Sequence, residues 1–143
     1  MAVPFGFSFG DFVAGIGLIK DLVGALRDSG GSGEQFRAVL SELETLRTAL
    51  EAIQTLDVDD SLTSERFALH YAASLCQRTI LDFREKITKY NTVLRVGGSG
   101  SRFKDSYRKV QWALCQKDDV EDFRIRVNAH TASISIMLVT LSM

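Results

Sequence analysis

The chain has almost no proline. The one it has is Pro4, and nothing after it removes a helical N–H or fixes φ in mid-element. Runs of β-branched residues are few, so a helical chain is expected. Long hydrophobic runs are missing as well. The longest nearly uncharged run, residues 3–19, carries only Asp11. It falls about a turn short of the roughly 20 residues that span a bilayer. It has no basic leader and no small-x-small cleavage site, which argues against a secretory signal. Ala2, not glycine, follows the initiator methionine, so myristoylation is not indicated. The only cysteines are Cys76 and Cys115, which suits a reducing cytosol better than a disulfide scaffold.

What is present is globular: 143 residues, 45% apolar and 24% charged, enough for one domain with a sizeable core. The charge is unevenly spread. Residues 1–75 hold five basic and eleven acidic side chains, and residues 76–109 hold nine basic and three acidic. A basic middle favours an anionic surface or a self-complementary contact; its plainer reading is a solvated helix face.

The spacing predicts a helical bundle. The first helix starts at Ser8, where Ser8 and Asp11 form a capping box, and runs to Gly30-Gly31. Phe9, Phe12, Ile16, Ile19, Val23 and Leu26 line one face. Gly10, Gly15, Gly17 and Gly24 each cost helix stability, up to about 1 kcal/mol relative to alanine. Such residues suit a helix that approaches a neighbour closely or must rearrange. A second capping box, Ser32 with Gln35, opens the next helix. Its seam is Phe36, Val39, Leu43, Leu46, Leu50 and Ile53, with Glu42, Glu44, Arg47 and Glu51 off it. A third helix runs from Ser61 to Leu94, about 50 Å at 1.5 Å per residue. Its seam is Leu69, Ala73, Cys76, Ile80, Phe83, Ile87, Tyr90 and Leu94, and Asp82–Lys86 and Glu85–Lys89 pairs mark its wet face.

Gly97–Ser101 breaks the chain. Phe103, Tyr107, Val110 and Leu114 follow, with Trp112 beside them as a core anchor. The phase slips at Lys117-Asp-Asp119, so a kink or gap is expected there. The last helix carries Val120, Phe123, Val127, His130, Ile134, Met137 and Leu141. It is still apolar at Met143, so the chain is expected to be the N-terminal part of a longer, multidomain protein. The expected architecture is all-α: an up-and-down bundle of four to five helices with a long third helix and a hydrophobic first one.

Catalytic chemistry is not suggested. His70 and Cys76 do not share a helix face, and Cys76 and His130 sit on hydrophobic seams, so core packing outweighs a zinc site. His70 reads as a surface residue. Gly30–Gly33 and Gly97–Ser101 follow no strand and lack the Gly-Lys-Ser/Thr of a phosphate loop. They read as connectors. The basic surplus is too small for nucleic acid. No enzyme activity, cofactor or metal is expected.

Phe5-Gly-Phe-Ser-Phe-Gly-Asp-Phe-Val-Ala-Gly-Ile-Gly-Leu-Ile resembles the start of the HeLo-like N-terminal domains of fungal STAND (NLR-like) proteins. The resemblance continues through Leu26-Arg-Asp-Ser-Gly-Gly-Ser, Phe36 to Leu50 with Leu43-Glu-Thr-Leu46, Lys109-Val-Gln-Trp-Ala-Leu114 and Lys117-Asp-Asp-Val-Glu-Asp-Phe123. It implies an N-terminal effector or signalling bundle that oligomerises and attacks membranes in regulated cell death, in heterokaryon incompatibility or immunity. Downstream regulatory domains of the same chain would be its trigger. A cytoplasmic protein that relocates to the plasma membrane is the implied localisation.

On that reading Phe5, Phe7, Phe9, Phe12, Val13, Ile16, Leu18 and Ile19 meet lipid. Asp11 is then the main charge to desolvate, at about 2.5–3.5 kcal/mol. Arg84, Lys86, Lys89, Arg95, Arg102, Lys104, Arg108 and Lys109 would contact anionic headgroups, at up to about 1 kcal/mol each. From Ile19 onward the first helix is expected to be core, and before it to be the part that moves. The alternative is a non-lytic helical interaction or oligomerisation module, in which the same Phe12, Ile16 and Ile19 are simply core.

Overall fold

The computed structural model describes residues 9–29, 31–56, 61–94 and 117–142. They form four helices and, among the described residues, no strand: α1 (Phe9–Asp28), α2 (Glu34–Gln54), α3 (Thr63–Leu94) and α4 (Lys117–Ser142). The all-α bundle is as expected. The segment around Trp112, the Gly97–Ser101 break and the expected Ser8 cap lie outside the described residues.

Each helix exists for the reason its spacing gives: a stripe of apolar residues every three or four positions that must leave water. Phe36, Val39, Leu43, Leu46, Leu50 and Ile53 are all buried on α2, as are Leu69, Ala73, Cys76, Ile80, Phe83 and Ile87 on α3. Leu22, Ala49, Ala72 and Thr79 join the buried set from positions beside those stripes. The 32 residues of α3 extend for about 48 Å.

The start of α2 differs from expectation, and the end of α1 has a side-chain cap of its own. The Ser29 hydroxyl closes the end of α1: it donates to the Leu26 carbonyl and accepts from the Gly31 N–H. The capping box at Ser32 and Gln35 does not form. Gly33 takes the cap position at φ 101°, a left-handed conformation that suits glycine, and no side chain caps the helix. The Gly33 carbonyl accepts the first helical bond, from the Arg37 N–H.

The neighbour relations fix the topology. α1 packs on α2 and α3, and α4 packs on α2 and α3. The order around the bundle is therefore α1–α2–α4–α3. Short connections reverse the chain from α1 to α2 and from α2 to α3. Pairs Thr79–His130, Phe83–Phe123 and Lys86–Asp119 run antiparallel between α3 and α4. The helices alternate up and down as expected, but α3 lies beside α1, and α2 beside α4.

Candidate functional site

The first helix is the element on which the expected membrane contacts converge. Its inner face is deep core. Phe12 is 1% exposed, Ile16 7% and Ile19 0%. Leu18 is half-buried against the core, and Val13 points outward, 53% exposed. Phe5 and Phe7 lie outside the described residues, as does the side chain of Phe9. The expected division at Ile19 is not where burial begins. The core takes in α1 from Phe12, about two turns earlier than the spacing of charges suggested.

The glycines of α1 divide into two kinds. A methyl added at Gly15 would rest at ordinary contact distance, 3.6 Å from Leu50 Cδ1 and 3.8 Å from Gln77 Cγ. A methyl at Gly17 or Gly24 would meet nothing within 4 Å among the described residues. Close approach of the described helices therefore does not account for Gly17 and Gly24, whose cost to the helix is not repaid by packing among the described residues.

The expected basic contacts are only partly described. Arg84 and Lys86 lie exposed on α3. Arg95, Arg102, Lys104, Arg108 and Lys109, and the side chain of Lys89, are outside the described residues. The surroundings of Lys86 are mixed in charge. Its Nζ is 3.7 Å from Asp119 Oδ1 on α4. The two residues border a groove of about 230 Å³ between α3 and α4, where Asp82, Glu85, Asp122 and Arg126 also line the wall. Phe83 and Phe123 form its apolar floor, stacked 4.0 Å apart with planes inclined by 9°.

Beyond Lys86–Asp119, two further polar contacts among the described residues tie α4 to the bundle, and neither was visible in the spacing. Glu42, read as an off-seam surface acid, is clamped by Arg124. Nε meets Oε1 at 2.8 Å and Nη2 meets Oε2 at 2.9 Å. This fork holds the Glu42 carboxyl below its ordinary value, with partial burial opposing and Asn128 assisting. Thr79 Oγ1 lies 2.8 Å from His130 Nε2. Burial, and then the nearby Arg126 charge, push the His130 imidazole below its ordinary range. Cys76 is fully buried and its thiol is pushed up to about 12 by that burial, so it stays protonated and unreactive. No group of three or more His, Cys, Asp or Glu side chains suited to a metal ion occurs among the described residues. No described helix is long and apolar enough to cross a membrane.

Sequence reasoning missed several exposed apolar side chains: Phe67, Tyr71 and Leu81 on α3, and Ile125, Ile136 and Val139 on α4. A second three-four stripe on the last helix, offset from its core seam, was the available signal.

Comparison with known proteins gives one match. The family model described as "Pigment biosynthesis cluster protein PigL N-terminal" covers residues 15–143. The match begins at Gly15, past Phe5, Phe7, Phe9, Phe12 and Val13. No curated protein and no solved structure matches the chain.

Proposed function

The chain belongs to the PigL N-terminal family of pigment biosynthesis cluster proteins, fungal helical domains of the HeLo-like type, and from that premise we propose that it is a membrane-directed effector or signalling bundle. In this reading it acts without catalytic chemistry. It self-associates, and the start of α1 leaves the bundle to enter anionic membrane in regulated cell death of the incompatibility or STAND-linked kind. Regulatory domains elsewhere in its protein set the moment, and the protein moves from cytoplasm to plasma membrane.

The observation that carries the reading is the pair Gly17 and Gly24. They weaken α1 where, among the described residues, the resting fold has room for a side chain. Magnitudes decide how far α1 can move. Its six buried side chains from Phe12 to Leu26 contribute about 1.5–3 kcal/mol each, a total of the order of a whole domain's stability. Pulling out all of α1 therefore amounts to unfolding the bundle. Lifting the first turns exposes only Phe12 and Ile16, roughly 3–6 kcal/mol. A partner surface or membrane can offset that.

The same burial of Phe12, Ile16 and Ile19 favours the second reading, an interaction module that never enters lipid. Dye release from anionic vesicles separates the two. The chain, brought together by a fused dimeriser, should release dye. Val13→Glu should abolish release with an unchanged melting curve, because Val13 is exposed in the fold and would be buried in lipid. Gly17→Ala with Gly24→Ala should slow release. Vesicles that stay intact, or release indifferent to all three changes, would leave the interaction module standing.

A further inference from the structure

The last helix has two apolar faces. Val120, Phe123, Val127 and Ile134 fill the core from one side. On the opposite side Ile125, Ala129, Ala132, Ile136 and Val139 follow at spacings of four, three, four and three, and all are exposed. Ile125 is 68% exposed and Ile136 67%. This is the spacing of a two-helix seam, laid where the bundle has no fifth helix among the described residues. We infer that this outer face of α4 pairs antiparallel with the same face of a second copy of the chain.

Three features select that occupant. The order Ile125-Ala129-Ala132-Ile136 reads the same in both directions, large-small-small-large. A twofold axis between Ala129 and Ala132 sets each isoleucine against an isoleucine and each alanine against an alanine. The small central pair lets the two backbones close together. Charge fixes the orientation. Asp118 and Asp122 continue the stripe toward the start of α4, so parallel pairing would stack each on its own copy. Antiparallel pairing keeps the acidic ends apart. From Val127 to Ser142 no side chain carries a formal charge, with His130 neutral, so two copies bring no like charges together. A lipid-binding face of this kind would be rimmed by Lys and Arg. The flanks here are Asn128, Ser133, Ser135 and Thr140, and Arg126 is already engaged by Asp122 at 3.0 Å.

The stripe is about 21 Å long from Ile125 to Val139. One helix face of that length falls short of the roughly 800 Å² per partner of a standard stable interface. Pairing is therefore weak and concentration-dependent, and strengthens when copies are gathered at one place.

The inference names a surface for the self-association in the proposed function and is independent of the membrane step. Sedimentation velocity without lipid tests it, from micromolar to millimolar chain. The expected result is a sedimentation coefficient that rises with concentration for the native chain and stays monomeric for Ile136→Glu, with identical melting curves. Cysteines introduced singly at Ile125 and Ile136, with Cys115 replaced by serine, test the orientation. Mixing the two should give crosslinks between the different variants and none within either. A native chain monomeric throughout, association unchanged by Ile136→Glu, or crosslinks only within one variant would overturn it. So would a monomeric chain that binds vesicles through this face. Vesicle release measured on the same variants separates this failure from failure of the membrane reading, since either can fail with the other intact.

Discussion

α1 and α2 bury nearly the same apolar load but differ in how the helix itself is held. α1 sinks Phe12, Ile16, Ile19, Leu22, Val23 and Leu26 into the core; α2 sinks Phe36, Val39, Leu43, Leu46, Ala49, Leu50 and Ile53. α2 has no glycine in its 21 residues. Its wet face is laced by Arg47, 2.7 Å from Glu44 and 3.1 Å from Glu51, and Glu42 ties it to α4. α1 carries four glycines in 20 residues, two of them with no described neighbour where a side chain would stand. Equal burial on unequal helices means that α1 is kept helical by the core, while α2 would support its own backbone better. An element of the first kind loses its structure when its contacts go.

The largest test of the comparison is in the shared core. Ile19→Ala and Leu46→Ala should each cost about 2–5 kcal/mol in urea unfolding, because both side chains are fully buried. A cost for Ile19→Ala below about 1 kcal/mol would show that α1 is not packed as described. Next come the glycines. Gly17→Ala and Gly24→Ala should each raise stability by up to about 1 kcal/mol, since neither added methyl meets a neighbour. A loss of stability at either would sink the contrast with α2. A smaller effect is expected at the α2–α4 clamp. A double-mutant cycle of Glu42→Gln and Arg124→Met should give a coupling of about 0.5 kcal/mol, limited by the partial exposure of both groups.

The smallest effect is in pH. His130 is held below its ordinary value of 6.5 in the fold, so the unfolded chain takes up that proton first. Its contribution is present above about pH 6.5 and is lost as pH falls through the lower folded value. Glu42, held below 4.5, contributes above that pH and loses its part as pH falls further. Stability should therefore drop in two stages on acidification, and His130→Gln should remove the first. A first stage unchanged in that variant would place the titrating group elsewhere.

Much of this fold was legible in the chain. The seams of α2 and α3 were readable residue by residue because a buried helix face must repeat every three to four positions. Leu22 and Thr79 escaped because they sit at the edge of a stripe, where burial depends on which neighbour arrives. The Gly33 cap was hidden behind a plausible Ser32, since a loop's φ angle has no periodic signature. The Glu42–Arg124 clamp joins residues far apart in sequence, and nothing local announces such a pair. The start of α1 is a different case. Scarcity of charge and abundance of glycine describe how easily a segment can leave, and say nothing of whether it is buried at rest. Phe12 and Ile16 are buried at rest.

Native-state hydrogen exchange across α1 and α2 tests that point most directly. The amides of residues 13–17 should exchange through a local opening roughly 3–6 kcal/mol above the resting fold, the cost of exposing Phe12 and Ile16. Those of residues 20–26, and of residues 39–53 in α2, should exchange only with global unfolding. If residues 13–17 are protected as strongly as the centre of α2, the first turns do not open separately, and α1 is core from end to end.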